Sequence, residues 1–110
     1  MPESFSLEGK NAIVTGGSRN MGRALCLALA DAGASVAILD LPVQEKAAIG
    51  VVKEIEERDV RGIFLPLDIR QVDSIRKQVA ALATEFGQLD VLINNAGKMD
   101  GTSSRADRSA

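Results

Sequence analysis

No histidine, tyrosine or tryptophan occurs among the 110 residues, and phenylalanine, with three copies, is the sole aromatic. Each absence removes a class of chemistry. Without histidine the commonest side-chain proton shuttle is missing, and without tyrosine a phenolic acid or base is missing too. The single cysteine, Cys26, forms no internal disulfide, which agrees with a reducing compartment. No metal-ligating set stands out. The longest unbroken apolar run, Ala24 to Ala30, falls far short of a membrane span. Met1 to Glu8 carries acidic residues and no apolar centre of a signal peptide, so the cytoplasm is the expected compartment. With 13 basic and 15 acidic residues the net charge is −2, and no basic cluster appears. Neither nucleic acid nor membrane is expected as a partner.

What is present is a composition 45% hydrophobic and 25% charged, that of one globular domain of modest size. Asn11-Ala12-Ile13-Val14 is a short apolar run ending in β-branched residues, the habit of a buried strand. Met21, Ala24, Leu25, Ala28, Leu29 and Ala32 recur at the spacing of an amphipathic helix stripe, with Cys26 beside it. Between the two lies Thr15-Gly16-Gly17-Ser18-Arg19-Asn20-Met21-Gly22, a strand-to-helix turn. Glycines there let the backbone turn tightly and approach a ligand, while the first helical N–H groups and the helix dipole favour an anion. Taken alone, the octet also suits a plain turn between two elements.

Further along, Gly9-Lys10 opens the first strand and Gly33 caps the first helix. Ser35 to Leu39 predicts a second strand ending at Asp40, after which Leu41-Pro42 breaks the chain. Gln44 to Arg58 predicts a helix with Ala47, Val51 and Ile55 on one face, weakened at Gly50 by about 1 kcal/mol relative to alanine. Gly62 to Leu67 is a third strand, and Val72, Ile75, Val79, Leu82, Ala83 and Phe86 carry a third helix closed by Gly87. Val91-Leu92-Ile93 is the fourth strand, leading into Asn94-Asn95-Ala96-Gly97.

Strands and helices that alternate in this way imply an α/β fold with a parallel sheet. Right-handed crossovers place two helices on one face and the third on the other, in strand order 3-2-1-4. The crevice at the carboxyl ends of strands one and four is then the expected ligand site.

Thr15-Gly16-x-x-x-Asn20-x-Gly22, Asp40, Asp68-Ile69 and Asn94-Asn95-Ala96-Gly97 each stand at a strand end, in order. Together they resemble the cofactor-binding half of a short-chain dehydrogenase/reductase, over about Leu7 to Gly97. The resemblance implies a Rossmann-type doubly wound sheet truncated after the fourth strand. Residues 1–97 would form a partial NAD(P)-binding domain and 98–110 a disordered tail. One departure is Asn20, where the family usually has glycine; asparagine tolerates the left-handed region better than most residues.

The same resemblance assigns Gly16, Ser18, Arg19, Asn20, Met21 and Gly22 to the pyrophosphate and adenosine ribose. Asp40 follows the glycine turn at close to the roughly 20-residue spacing at which a carboxylate meets the ribose hydroxyls. Asp68 and Ile69 would flank the adenine, and Asn95, Ala96 and Gly97 would line the nicotinamide side and brace the sheet. A carboxylate at position 40 repels a 2′-phosphate and favours NAD, whereas Arg19 can pair with that phosphate and leaves NADP open.

Family members transfer hydride between a nicotinamide cofactor and an alcohol or carbonyl substrate, using a Tyr-x-x-x-Lys pair and a serine. This sequence has no tyrosine, and Ser103 and Ser104 fall too soon after Gly97 for the catalytic strand. No catalytic residue is therefore assigned. The chain is expected to be a shortened copy of a longer enzyme and not to turn over alone. Val91-Leu92-Ile93, apolar on both faces, is expected to form an exposed edge through which copies self-associate. The alternative is a non-catalytic nucleotide-binding or dimerising module. A Rossmann-type methyltransferase shares the glycine loop and the acidic strand end, but not the Thr-Gly start or the Asn-Asn-Ala-Gly turn.

Overall fold

The structure, a computed structural model, describes residues 6–67 and 72–95. The β-branched runs form β1 (Asn11–Thr15), β2 (Ser35–Asp40), β3 (Gly62–Pro66) and β4 (Val91–Asn94). They pair in parallel in the order β3-β2-β1-β4, as the alternation of elements predicts. Helices α1 (Asn20–Asp31), α2 (Glu45–Glu56) and α3 (Val72–Phe86) make the crossovers. In register, Thr15 stands between Leu39 of β2 and Asn94 of β4, so the carboxyl ends of three strands meet at one level.

Successive residues of a strand point to opposite faces, and both faces of β1 and β2 are covered. On one, Val14, Val36 and Ile38 pack with Cys26 and Ala30 of α1 and Ala48, Val51 and Ile55 of α2. On the other, Ile13, Ala37 and Leu39 pack with Leu82 of α3, and with Ile75, Val79 and Phe86 around it. Continuous apolar sequence in β1 and β2 is therefore what burial on two sides requires.

Several boundaries and faces differ from the sequence reading. The buried row of α1 is Gly22, Cys26 and Ala30, while Met21, Ala24 and Ala28 face solvent. Residues 24 to 30 are apolar all round, so periodicity alone does not set the phase of that helix. In α2 the buried face is Ala48, Val51 and Ile55 rather than one beginning at Ala47, and a 3-10 turn over Pro42–Gln44 precedes it. Proline at the start of that turn lacks only an N–H that would be unpaired there anyway. Val72 opens α3 but is 59% exposed.

Gly33 (φ 104) and Gly87 (φ 92) adopt the left-handed conformation expected of helix ends. Gly33 N–H donates to the Ala30 carbonyl at 2.9 Å, and Gly87 N–H to the Ala83 carbonyl at 2.8 Å. After α2 the same conformation falls to Asp59 (φ 62), which no glycine signals. The proposed tail over residues 98–110 lies outside the described residues.

Gly50 is exposed inside α2, and a Cβ added there meets no atom within 4 Å. Replacing Gly50 with alanine is expected to stabilise the chain by about 0.5–1 kcal/mol, read as a higher urea midpoint at unchanged m-value.

Candidate functional site

The turn between β1 and α1 is held by close backbone contacts. Gly16 takes φ 69, its N–H donates to the Leu39 carbonyl at 2.7 Å, and its carbonyl accepts from Asn95 Nδ2 at 3.2 Å. Gly17 is buried over the sheet: a Cβ there would sit 2.8 Å from Cys26 Sγ and 3.2 Å from Ile38 Cγ2. At Gly22 a Cβ would collide with the Gly16 carbonyl oxygen and lie 2.9 Å from Asn95 Nδ2. The turn thus needs glycine for three different reasons: handedness at 16, packing at 17 and close helix approach at 22.

Beyond the glycines the chain enters α1 through Arg19, extended at φ −147, and Asn20, left-handed at φ 54. Asparagine here does what the sequence reading required of it. Among the described residues no side chain caps α1, and its first turn holds no acidic residue, so no carboxylate of its own first turn competes for its leading N–H groups. Beside them the Ser18 hydroxyl is 2% exposed and has no hydrogen-bond partner among the described residues. A buried hydroxyl normally finds one.

The end of β2 adds a carboxylate. Asp40 Oδ1 accepts from the Leu41 N–H at 2.8 Å and Oδ2 from the Ser18 N–H at 3.4 Å. Across the crevice, Thr15 Oγ1 donates to Asn94 Oδ1 at 2.8 Å, joining the ends of β1 and β4. Beneath the turn, burial pushes the Cys26 thiol up to about 12, so it stays neutral and serves as a packing residue rather than a nucleophile.

Of the residues named from the sequence, Gly16, Ser18, Arg19, Asn20, Met21, Gly22, Asp40 and Asn95 gather at this end of the sheet. Met21 is 65% exposed and Arg19 is also exposed. Asp68, Ile69, Ala96 and Gly97 lie outside the described residues. Sequence reasoning named Thr15, Gly17 and Cys26 but gave none of them a role of its own at the site. Cys26 carried a usable signal, four residues after Gly22 and so on the same helix face. Among the described residues no cluster of His, Cys, Asp or Glu could hold a metal, and no helix is long and apolar enough to cross a membrane.

A family model described as short chain dehydrogenase matches residues 10–110. The chain belongs to the short chain dehydrogenase family. A short chain dehydrogenase of Pseudocercospora fijiensis is 44% identical over 98 residues, which cover 87% of this chain and 31% of that relative. Among solved structures, a dehydrogenase/reductase from Sinorhizobium meliloti matches with a TM-score of 0.81 at 39% identity, over 86% of this chain and 37% of the other. A short chain dehydrogenase from Mycobacterium paratuberculosis bound to NAD matches with a TM-score of 0.77 at 30% identity, over 84% and 38%. The chain therefore spans about a third of the length of the curated relatives it matches. In this chain the four-stranded sheet and the glycine turn fall within the matched part.

The left-handed entry to α1 makes position 20 sensitive to branching. Asn20→Val is expected to cost about 1–2 kcal/mol of stability in urea unfolding, whereas Asn20→Gly changes it by less than about 0.5 kcal/mol.

Proposed function

We propose that this chain forms the dinucleotide-binding part of an oxidoreductase that transfers hydride between a nicotinamide cofactor and an alcohol or carbonyl substrate. NAD is the preferred cofactor. The observation that carries this reading is the uncapped N-terminus of α1 with the buried, unpartnered Ser18 hydroxyl beside it. Outward-facing backbone N–H groups and a hydroxyl with hydrogen-bonding capacity in reserve suit a pyrophosphate.

The backbone of Gly16 to Gly22 would hold the pyrophosphate, with Arg19 exposed alongside to add positive charge. Asp40 would accept from the ribose hydroxyls, and its charge would disfavour a 2′-phosphate. Asp68 and Ile69 would take the adenine, and Asn95, Ala96 and Gly97 the nicotinamide side. The nicotinamide, when bound, supplies the hydride acceptor or donor. The NAD held by the Mycobacterium paratuberculosis relative supports the cofactor class. This chain's own residues bind and orient. A proton donor for an alkoxide is not evident among them, since tyrosine and histidine are absent. The 110 residues are accordingly expected to bind without turning over, in a cytoplasmic setting.

Calorimetric titration of NAD and NADP tests the assignment. The wild-type chain should bind NAD more tightly than NADP, and Asp40→Ala should bring the two affinities to within about threefold of one another. Equal affinities in the wild type would refute the preference, and no binding of either would refute the dinucleotide site.

A second reading, a nucleotide-binding module that self-associates through β4, is favoured by Leu92. It is 58% exposed, while Ile13, its register partner on β1, is fully buried. Among the described residues no strand pairs with the outer edge of β4. Size-exclusion chromatography should then show an assembly larger than a monomer at high concentration, and Leu92→Asp should return it to the monomer position.

A further inference from the structure

The last three residues of β2 each meet one residue of the glycine turn. Ile38 packs against Gly17, with Cγ2 3.2 Å from where a Cβ would stand. The Leu39 carbonyl receives the Gly16 N–H at 2.7 Å, and Asp40 Oδ2 receives the Ser18 N–H at 3.4 Å. The first two contacts are packing and backbone. The third is made by the same carboxylate to which the dinucleotide reading gives the ribose.

We propose that Asp40 is a positioning residue for the phosphate-facing turn as well as the residue that meets the ribose, so that cofactor choice and turn geometry share one side chain. This rests on the dinucleotide reading for the ligand, and on the ligand-free contacts for the positioning role.

The two roles are chemically compatible. An ionised carboxylate offers about four lone-pair sites on its two oxygens. The Leu41 and Ser18 N–H groups each occupy one, leaving capacity on both oxygens for hydroxyl donors. The Leu41 N–H at 2.8 Å orients the carboxylate before any ligand arrives, and the longer Ser18 contact at 3.4 Å draws the turn toward its negative charge. With Asp40 in place, Ser18 is tethered at its backbone while its hydroxyl stays unpartnered. Without Asp40, Ser18 loses that tether, and the remaining contacts of the turn with β2, at Gly16 and Gly17, precede it in the chain.

This makes a prediction opposite in sign to simple charge repulsion. Removing a negative group beside an anion site should raise the affinity of an anion that has no ribose. If Asp40 positions the turn, that affinity falls instead. Inorganic pyrophosphate is therefore titrated calorimetrically into wild type, Asp40→Ala and Asp40→Asn, and exchange of the Ser18 amide is followed by NMR in the ligand-free proteins.

Asp40→Ala should bind pyrophosphate about three- to tenfold more weakly and exchange its Ser18 amide about tenfold faster. Asp40→Asn, whose side-chain oxygen still accepts, should lie within about threefold of wild type in both. A pyrophosphate affinity that is unchanged or higher in Asp40→Ala, or a Ser18 amide whose exchange does not change, overturns the positioning role. If Asp40→Ala does not fold, Asp40→Ser replaces it, carrying a single oxygen of shorter reach and the same expected losses. If the wild type binds neither pyrophosphate nor NAD, the dinucleotide reading fails, and the Ser18 exchange comparison alone decides the positioning role.

Discussion

The first turn of α1 lies so close to the Gly16 carbonyl that no side chain fits at position 22. That approach sets where the helix begins relative to β1. From Gly22 the contact row continues through Cys26 and Ala30, all of them small, and α1 consequently lies low over β1 and β2. The leading N–H groups of the helix receive no side-chain cap because the N-cap residue is Arg19, whose guanidinium has no acceptor. A larger residue at 22 would lift the helix and displace the donors together.

Most of the sheet was legible in the sequence because parallel strands buried on both faces must be apolar throughout, and because glycines mark the ends of α1 and α3. The faces of α2 and α3 followed largely from spacing, apart from Ala47 and Val72. The phase of α1 did not. Its seven consecutive apolar residues make every face acceptable, and the choice falls to a long-range contact, Gly22 against Gly16, that no local pattern encodes. At the site, the glycine turn, Asn20 and Asp40 were readable as residue types at strand ends. That Asp40 also receives the Ser18 N–H was not, since a donor belonging to the backbone leaves no trace in residue identity. Asp59 in the left-handed region was invisible for a related reason: aspartate adopts it only where the loop demands it.

Charge plays a different part at the site and away from it. Arg23 pairs with Glu54, and Arg58 with Asp31, each joining α1 to α2 or its carboxyl end. Arg61 reaches Glu85 and stands 5.2 Å from the Phe86 ring centre. Hydrogen bonding to Arg23 holds the Glu54 carboxyl below its ordinary value. These groups are exposed or half-exposed, and solvent and salt screen them, so they trim the helix packing rather than create it. Asp40 differs because its partners are backbone N–H groups at strand and helix ends, whose positions are fixed by the fold.

The strand order itself ties the turn to the edge of the sheet. After β3 the chain crosses back over the sheet and adds β4 on the far side of β1, so the crevice opens where β1 and β4 end side by side. Two side-chain contacts close its floor: Thr15 to Asn94, and Asn95 to the Gly16 carbonyl. The second reaches from the end of β4 into the glycine turn. Whatever orders that turn also holds Asn95, and with it the final residues of a strand only four residues long. Linkage is reciprocal, so a ligand bound at the turn would stabilise the pairing of β4, and loosening β4 would weaken that binding by the same free energy. Among the described residues β4 is the shorter edge strand of this sheet, paired on one side to β1 alone, so its end depends more than a central strand would on the contact from Asn95 to the glycine turn.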